Sequence, residues 1–149
     1  MPNSNNDTYG KLLVKVTSGR DTIPLENALV LIRPYDDGES DILYSLRTDE
    51  DGMTKSVDLK APPKSISFIP GGDAKPFSQY IITVKADGYY TVENIGVPIF
   101  DGITSIQNVE MIPLTEVDMF SGINPEVTYF QNEEYENLRG TGDRQSNIN

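Results

Sequence analysis

A chain of 149 residues, of which 37% are hydrophobic, predicts a single domain that is long enough to bury a core. Its net charge of −11 argues against nucleic acid and anionic membrane as partners, because both would repel the chain. The sequence has no Cys and no His, which excludes disulfides, thiol catalysis, Ser-His-Asp relays and the usual zinc sites. No apolar run approaches the length of about 18 residues that a membrane-spanning helix needs.

Short apolar runs with period-two alternation recur along the chain and predict strands separated by tight turns. The first run places Leu12, Val14 and Val16 on one face of a strand. The Asp-Gly pairs at residues 51–52 and 87–88 are turn signals, because Gly accepts the positive φ that short hairpins need. Seven strands are predicted at residues 11–17, 28–32, 42–47, 53–59, 79–86, 90–97 and 104–112, and a further short strand at residues 66–69.

These elements predict an all-β fold, a seven-stranded antiparallel Greek-key sandwich over residues 10–114. Residues 1–9 are expected to form a flexible N-terminus. Residues 115–149 are expected to form a largely irregular acidic tail, in which seven acids against two arginines give a net charge of −5. Apolar positions such as Tyr129 and Phe130 leave two alternatives for this tail. Either it is partly docked on the sandwich and otherwise disordered, or it is an arm that adds a strand to a neighbouring copy.

Four stretches of the sequence resemble one known family. Residues 10–16 (G-K-L-L-V-K-V) and residues 23–30 (I-P-L-E-N-A-L-V) are similar to the opening of carboxypeptidase regulatory-like domains. Residues 48–52 (T-D-E-D-G) resemble the hairpin of that family, and residues 80–89 (Y-I-I-T-V-K-A-D-G-Y) resemble one of its strands with the following turn. The resemblance implies a transthyretin-like, or prealbumin-like, fold. It implies little about function, because such sandwiches are appended to many unrelated proteins.

A narrower likeness is to the N-terminal region of spore cortex-lytic enzyme precursors. It rests on residues 75–80 (K-P-F-S-Q-Y), 86–89 (A-D-G-Y) and 107–113 (Q-N-V-E-M-I-P). In that family the region is a non-catalytic module ahead of the wall-binding and lytic parts. The resemblance therefore implies peptidoglycan as a candidate partner and a spore or cell-surface location. Residues 1–7 lack the basic and apolar regions of a secretory signal, so we expect the chain to be cytoplasmic at synthesis.

Two candidate chemical sites have weak signals. Asp49 and Asp51 form half of a calcium-binding loop, but the Glu that should close such a loop is missing, so we interpret them as turn residues. Lys15 and Asn108 lie in the first and last predicted strands, as an intramolecular isopeptide bond would require. Alternation places both on the solvent face, where Lys lacks the desolvation that this reaction needs. No catalytic residue, metal or cofactor is therefore predicted.

Aromatic side chains supply the candidate interaction residues. Tyr44 and Tyr80 fit the core by alternation. Phe77, Tyr89 and Tyr90 flank turns, where they either pack as core or hinge residues or are exposed for contact with a glycan. The chain has no Trp, which weakens the prediction of a sugar-stacking platform. The candidates for interaction are Phe77, Tyr89, Tyr90, Phe120, Tyr129 and Phe130.

The sequence supports two functions, and neither is enzymatic. The first is a non-catalytic accessory module that binds another protein or peptidoglycan. The second is a structural subunit of a surface or spore assembly whose tail associates with a further copy of the chain. The tail separates the two, because it is a dispensable linker in the first function and an arm needed for association in the second.

Overall fold

The computed structural model describes residues 7–19, 22–36, 41–65, 75–121 and 126–130, most of which lie in strands. The strands are β1 (Thr8–Ser18), β2 (Ile23–Pro24), β3 (Leu29–Pro34), β4 (Tyr44–Arg47), β5 (Val57–Ala61), β6 (Ser78–Lys85), β7 (Thr91–Ile99), β8 (Thr104–Met111) and β9 (Glu126–Phe130). A helix, α1 (Glu116–Ser121), lies between β8 and β9. None of the described helical residues form a helix that is long and apolar enough to cross a membrane.

Two sheets share one core. The small sheet contains β1, β2, β5 and β8, with β1 at its centre. β8 pairs with one side of β1 in parallel, over eight pairs from Lys11↔Thr104 to Ser18↔Met111. β5 and β2 pair antiparallel with the other side of β1, near its beginning and its end. The large sheet has the order β4-β3-β6-β7-β9, and its last strand runs parallel to β7.

The core consists of the side chains that alternation turns toward the space between the sheets. Leu12, Val14 and Val16 of β1 are completely buried there, as the sequence predicts. Each such side chain stabilises the fold by about 1.5–3 kcal/mol relative to an exposed position. The other fully buried large side chains are Val30, Ile32, Leu59, Ile82, Val84, Val92, Val97, Ile99 and Met111.

The turn between β4 and β5 fills the side of β1 that faces away from β8. Val16 N–H donates to Gly52 O at 2.8 Å, and Thr54 N–H donates to Val14 O at 3.0 Å. The Thr54 hydroxyl accepts a hydrogen bond from Val14 N–H at 3.0 Å. The backbone groups of the even-numbered residues of β1 therefore form their hydrogen bonds on the side of β1 that faces away from β8. Lys11 N–H instead donates to Ile103 O at 2.9 Å, so the odd-numbered residues bond toward β8.

The predicted all-β sandwich is confirmed at the level of two packed sheets, and each of the seven predicted strands overlaps an observed one. The prediction of seven strands is not confirmed, and the antiparallel direction holds for five of the seven described strand pairs. The described residues contain nine strands, and the β1–β8 and β7–β9 pairs are parallel. Pairing direction depends on which distant strands meet, which alternation does not encode. Greek-key connectivity stays a prediction, and residues 66–69 lie outside the described residues.

Both ends of the sandwich differ from the expected boundaries. β1 begins at Thr8, whose hydroxyl donates to Ala61 O at 2.5 Å, so the last residues of the expected flexible N-terminus belong to the small sheet. The tail is predicted to be largely irregular, yet its described residues form α1 and β9. β9 gains ladder hydrogen bonds from β7, a long-range contact that its own sequence does not reveal. Residues 131–149 lie outside the described residues.

Candidate functional site

Side chains at the start of α1 hold this helix against the large sheet. The Thr115 hydroxyl accepts a hydrogen bond from Asp118 N–H at 3.1 Å, and Thr115 O accepts one from Met119 N–H at 3.0 Å. The Tyr90 hydroxyl, immediately before β7, donates to the Asp118 carboxylate. This hydrogen bond, followed by burial, raises the pKa of Tyr90 above the ordinary value of 10.0. The tyrosine is therefore a hydrogen-bond donor at neutral pH, and it orients α1.

The link between β8 and α1 runs along the turn between β6 and β7. Tyr90 N–H donates to Ile112 O at 2.9 Å, and Leu114 N–H donates to Gly88 O at 2.9 Å. The chain thus passes from β8, at one edge of the small sheet, to the neighbourhood of β7 in the large sheet. The β4 edge of the large sheet lies beside β5, because the Tyr44 hydroxyl donates to Asp58 O at 2.9 Å. β9, at the opposite edge of the large sheet, therefore lies on the side of the sandwich where β8 ends the small sheet.

β9 extends the large sheet by one strand. Its register places Val127 opposite Val92 and Tyr129 opposite Asn94, two buried residues on the core side of β7. Paired residues of parallel strands share a face, so Val127 and Tyr129 also point to the core side. Tyr129 is nevertheless 45% exposed, and Val127 is half-buried. The described part of the small sheet therefore does not reach across to cover β9.

Large apolar side chains of α1 and β9 are exposed to solvent. Val117 is 74% exposed and Met119 54%, while Phe130 at the end of β9 is 56% exposed. With Tyr129 they are the residues that we call the C-terminal apolar surface. Tyr129 and Phe130 are neighbours in a strand and therefore point to opposite faces of the large sheet. Single exposed apolar residues are normal on soluble proteins, but several on two consecutive short elements indicate a surface for contact with another macromolecule.

The structure divides the predicted interaction residues into three groups. Tyr129 and Phe130 are exposed on β9, and their role in binding stays a prediction. Tyr89 and Tyr90 are half-buried, because Tyr89 packs against the core and Tyr90 bonds to α1. Phe120 lies in α1, and its side chain is outside the described residues.

Phe77 is buried, so of its two alternatives the structure shows packing, and its choice as an interaction residue is corrected. Its ring is buried against Phe100, with 5.5 Å between ring centroids and an angle of 57° between the planes. The Lys75 ammonium lies 5.7 Å from the centroid of the same ring. The position beside a turn allowed exposure, but the ring folds under the connection between β7 and β8. Phe77 therefore contributes to packing.

The acidic turn uses its carboxylate for backbone hydrogen bonds. Asp49 Oδ1 accepts hydrogen bonds from Asp51 N–H at 2.9 Å and from Met53 N–H at 3.0 Å. Gly52 closes the turn with φ of 77° and donates its N–H to Asp49 O at 2.9 Å. No group of three or more acidic side chains in the described residues is arranged to hold a metal ion. Asp49 is thus a turn residue, as the sequence analysis interprets it.

Lys15 and Asn108 are brought together by the structure. They are direct partners in the β1–β8 pairing, which is the proximity that an isopeptide bond needs. Both residues are exposed on the outer face of the small sheet. This is the face that alternation predicts, and it leaves the Lys15 ammonium solvated.

A cleft of about 520 Å³ opens at the end of the sandwich where the β6–β7 turn lies. Arg47 and Lys85 flank Leu29 on neighbouring strands of its wall, and the Arg47 guanidinium donates to Asn27 O at 3.1 Å. Glu26 and Asp87 also line the cleft. Opposite charges are therefore mixed along its wall, and the cleft selects no single ligand charge.

The sequence analysis missed Val117 and Met119 as candidates. The available signal is Thr115 followed three residues later by Asp118, a pattern typical of a helix start. Successive helical residues are about 100° apart around the axis, so side chains two positions apart cannot both face the same sheet. A short helix with Val117 and Met119 therefore predicts at least one exposed apolar side chain.

No protein-family model matches the sequence, and no curated protein matches it significantly. Solved structures do resemble it. The catechol 1,2-dioxygenase of an Acinetobacter species aligns with 86% of this chain and 60% of its own length, at 13% identity and a TM-score of 0.50. A 3-chlorocatechol 1,2-dioxygenase of Rhodococcus opacus aligns with 76% of this chain and 64% of its own, at 13% identity and a TM-score of 0.45. A minor pilin of Streptococcus agalactiae aligns with 73% of this chain and 46% of its own length, at 13% identity and a TM-score of 0.46.

What is shared is the fold. The likeness to the Acinetobacter dioxygenase shows that the chain has a β-sandwich known from solved proteins, and an identity of 13% carries no chemistry with it. The chain spans less than two thirds of the length of each of these three proteins.

Proposed function

We propose that this chain is a non-catalytic binding module, a transthyretin-like β-sandwich whose C-terminal apolar surface contacts another protein. The observation that carries the proposal is the exposure of Val117, Met119, Tyr129 and Phe130 on α1 and β9. Protein interfaces bury such side chains at their centre, where each excludes water on association. The helix and strand hold these residues in a fixed arrangement, so the partner binds a preformed surface.

The structural use of the polar side chains supports a role without catalysis. Arg33 forms an ion pair with Glu93 across β6 at 3.1 Å, and Lys11 forms one with Asp58 between β1 and β5 at 2.7 Å. The Tyr80 hydroxyl donates to a backbone carbonyl of β5. The Lys11–Asp58 pair joins neighbouring strands, the Arg33–Glu93 pair spans β6, and the Tyr80 hydrogen bond joins the two sheets.

The positions of the resembling stretches support the transthyretin-like assignment. Residues 10–16 lie in β1, and residues 23–30 lead through β2 into β3. Residues 48–52 form the turn after β4, and residues 80–89 form β6 with its turn. Each motif that carries the family resemblance thus lies in a strand or turn of the sandwich. A partner in spore or cell-wall peptidoglycan metabolism remains part of the proposal because of the narrower likeness of residues 75–80, 86–89 and 107–113 to spore cortex-lytic enzyme precursors.

The proposal is tested by recovering partners of the tagged full chain from its native cells. Three proteins are compared: the wild type, the double variant Val117→Ser with Met119→Ser, and the control Ile23→Ser. Ile23 is 56% exposed on β2, which pairs with the side of β1 opposite β8, so its replacement removes an exposed apolar side chain that is not part of the C-terminal apolar surface. A partner retained in stoichiometric amount by the wild type and the control, and lost from the double variant, supports the proposal. The same recovery from all three overturns it.

A second experiment addresses the wall component. The wild type and the double variant are sedimented with purified peptidoglycan, with bovine albumin as a protein that should stay in solution. Saturable co-sedimentation of both chains makes the glycan itself the ligand and removes the need for a protein partner. If neither chain sediments with peptidoglycan, the proposal is limited to a protein partner.

A structural subunit is the second candidate function. The specific observation in its favour is that, among the described residues, β9 pairs with β7 at the edge of the large sheet and with no other strand. A strand that pairs with its own chain can make the same hydrogen bonds to a second copy. In that case β9 would be exchanged between copies, and the protein would assemble without a different partner.

A further inference from the structure

The two sheets end on four edges, and three of them are short or charged. β4 has four residues, β9 has five and begins with Glu126, and β5 carries Asp58 and Lys60. β8 has eight residues, no Pro or Gly, and Glu110 as its single charge. No described strand pairs with the side of β8 opposite β1. Long edges with few charges are templates for pairing with another strand, and natural proteins normally block them.

The backbone of β8 presents its outward groups at known positions. Ile103 O faces β1, where it accepts a hydrogen bond from Lys11 N–H. Backbone groups alternate between the two sides of a strand, so the odd-numbered residues of β8 bond to β1. The N–H and C=O groups of Thr104, Ile106 and Asn108 therefore point outward. A side-chain contact agrees with this assignment, because the Gln107 amide donates to Asn108 O at 3.2 Å in an exposed position.

The uncovered core side of β9 lies beside this edge. The large sheet reaches one strand beyond β7, and Val127 and Tyr129 on that strand face the core side without full cover. A strand added to β8 would extend the small sheet in the same direction. Its side chains would then lie over Val127 and Tyr129. The open edge and the uncovered strand thus fit the same occupant.

The charge around this region favours a basic occupant. Residues 104–130 contain four acids and no Lys or Arg. Glu110 lies on β8, Glu116 and Asp118 on α1, and Glu126 at the start of β9. Two cations lie opposite β8 in the β1–β8 register, Lys11 beside Thr104 and Lys15 beside Asn108, and both are on the outer face. Lys11 is ion-paired with Asp58 at 2.7 Å. Lys or Arg residues that flank an incoming strand would be attracted to these acids.

We propose that β8 and the core side of β9 form an acceptor site for one extended, basic segment of a partner protein. This inference rests on the proposed binding function, and it names the site and the chemistry of the partner. The segment hydrogen-bonds to the outward groups of Ile106 and Asn108, as in strand addition to a sheet edge. Alternate apolar side chains of the segment pack on Val127 and Tyr129, and its basic ends lie near the acids.

The test uses the full chain and two labelled peptides with the same eight-residue core of alternating Val and Thr. One peptide has two Lys at each end, and the other has two Glu. Binding is followed by fluorescence anisotropy for the wild type, Asn108→Pro and the matched control Asn108→Thr. Proline removes the outward N–H of residue 108, whereas threonine keeps it and suits a strand.

The wild type should bind the Lys-flanked peptide saturably and about tenfold more tightly than the Glu-flanked one at low ionic strength, with a smaller ratio at high salt. Asn108→Pro should weaken binding about tenfold, since a ladder hydrogen bond is lost and the ring obstructs the edge. Asn108→Thr should bind within about twofold of the wild type. On binding, the amide hydrogens of Ile106 and Asn108 should exchange more slowly with solvent.

Equal binding by Asn108→Pro and Asn108→Thr would overturn the inference, as would equal affinity for the two peptides or no saturable binding. A mass that doubles with concentration in the wild type and not in Asn108→Pro would also overturn it, because a second copy would then occupy the edge. Partner recovery that is lost in the Val117→Ser, Met119→Ser variant but unchanged in Asn108→Pro would leave the proposed function standing while this inference fails.

Discussion

At the scale of single residues, a comparison of two glycines distinguishes two causes of lost stability on substitution, a positive φ and a steric clash of the new Cβ. Gly52 and Gly88 both have positive φ, at 77° and 85°. A Cβ atom at Gly52 would lie 2.5 Å from Val16 O, whereas one at Gly88 would meet nothing within 4 Å. Val16 O cannot easily move away, because it accepts a hydrogen bond from Leu25 N–H.

We therefore expect different costs for the same substitution at the two positions. Gly88→Ala should lower the free energy of unfolding by about 1–2 kcal/mol, the cost of a left-handed conformation alone. Gly52→Ala should lower it by at least about 1 kcal/mol more, because the turn must also shift from β1. Urea denaturation of the two variants measures the difference. Equal losses would show that the turn adapts without strain.

Tyr80 links the stability of the sandwich to alkaline pH. It is buried, and its hydroxyl donates to Lys60 O at 2.6 Å. Burial first, and then the nearby Tyr44 and Tyr9, raise its pKa above 10.0 in the folded chain. A raised folded pKa means that the stabilisation is fully present below pH 10 and is lost as the pH rises through the folded value.

Tyr80→Phe should cost about 1 kcal/mol at neutral pH, since the hydrogen bond to β5 is lost. Above pH 10 the variant should lose stability less steeply than the wild type, because it has no phenol to ionise at this buried position. Urea denaturation over a pH series measures both effects. Tyr129→Phe is the control, since Tyr129 is exposed. A pH dependence that is the same in Tyr80→Phe and the wild type would contradict the account.

Residue burial could be predicted from the sequence where alternation is regular. Leu12, Val14 and Val16 occupy the expected face, and Tyr80 is buried as expected. Phe77 could not be predicted, because its position beside a turn is decided by contact with Phe100, far along the chain. Alternation predicts which face of a strand a side chain lies on. It gives no information on which side chains a connection between strands will cover.

At the scale of elements, the direction of each backbone group in β8 has a measurable consequence. Gln107 N–H points to β1 and Asn108 N–H points outward, as the alternation from Ile103 requires. Asn108→Pro should therefore change the free energy of unfolding by less than about 1 kcal/mol, since proline is tolerated on the open side of an edge strand.

Gln107→Pro should cost at least about 2 kcal/mol more than Asn108→Pro, because it removes a ladder hydrogen bond and leaves a carbonyl of β1 without its donor. Thermal or urea denaturation of the two neighbours is sufficient to measure this. Similar losses in both, or a greater loss in Asn108→Pro, would place the outward groups on the odd-numbered residues and remove the basis of the acceptor site.

Seven of the strands, β1 and β3 to β8, were accessible from sequence, whereas β2, β9 and α1 were not. β2 has two residues, too few for alternation to show. β9 is five residues of mixed polarity. Its partner β7 ends at Ile99, and 26 residues lie between Ile99 and the start of β9 at Glu126. α1 has six residues, less than two turns. Elements this short are specified by tertiary contacts such as the Tyr90–Asp118 hydrogen bond.

At the scale of the whole molecule, the two candidate functions differ in what covers the C-terminal apolar surface. A binding module presents this surface to a different protein and remains a monomer without it. A structural subunit covers the surface with a second copy or exchanges β9. The exposed positions were only partly accessible from sequence: Tyr129 and Phe130 were predicted, and Val117 and Met119 became apparent from the helix.

The most direct measurement is the solution mass of the full chain by light scattering across a wide concentration range, alone and as the Val117→Ser, Met119→Ser variant. The account predicts a monomer of 16.5 kDa for both proteins throughout the range. A discrete oligomer of the wild type that dissociates in the variant would contradict it. The C-terminal apolar surface would then bind a second copy, and the protein would be a structural subunit.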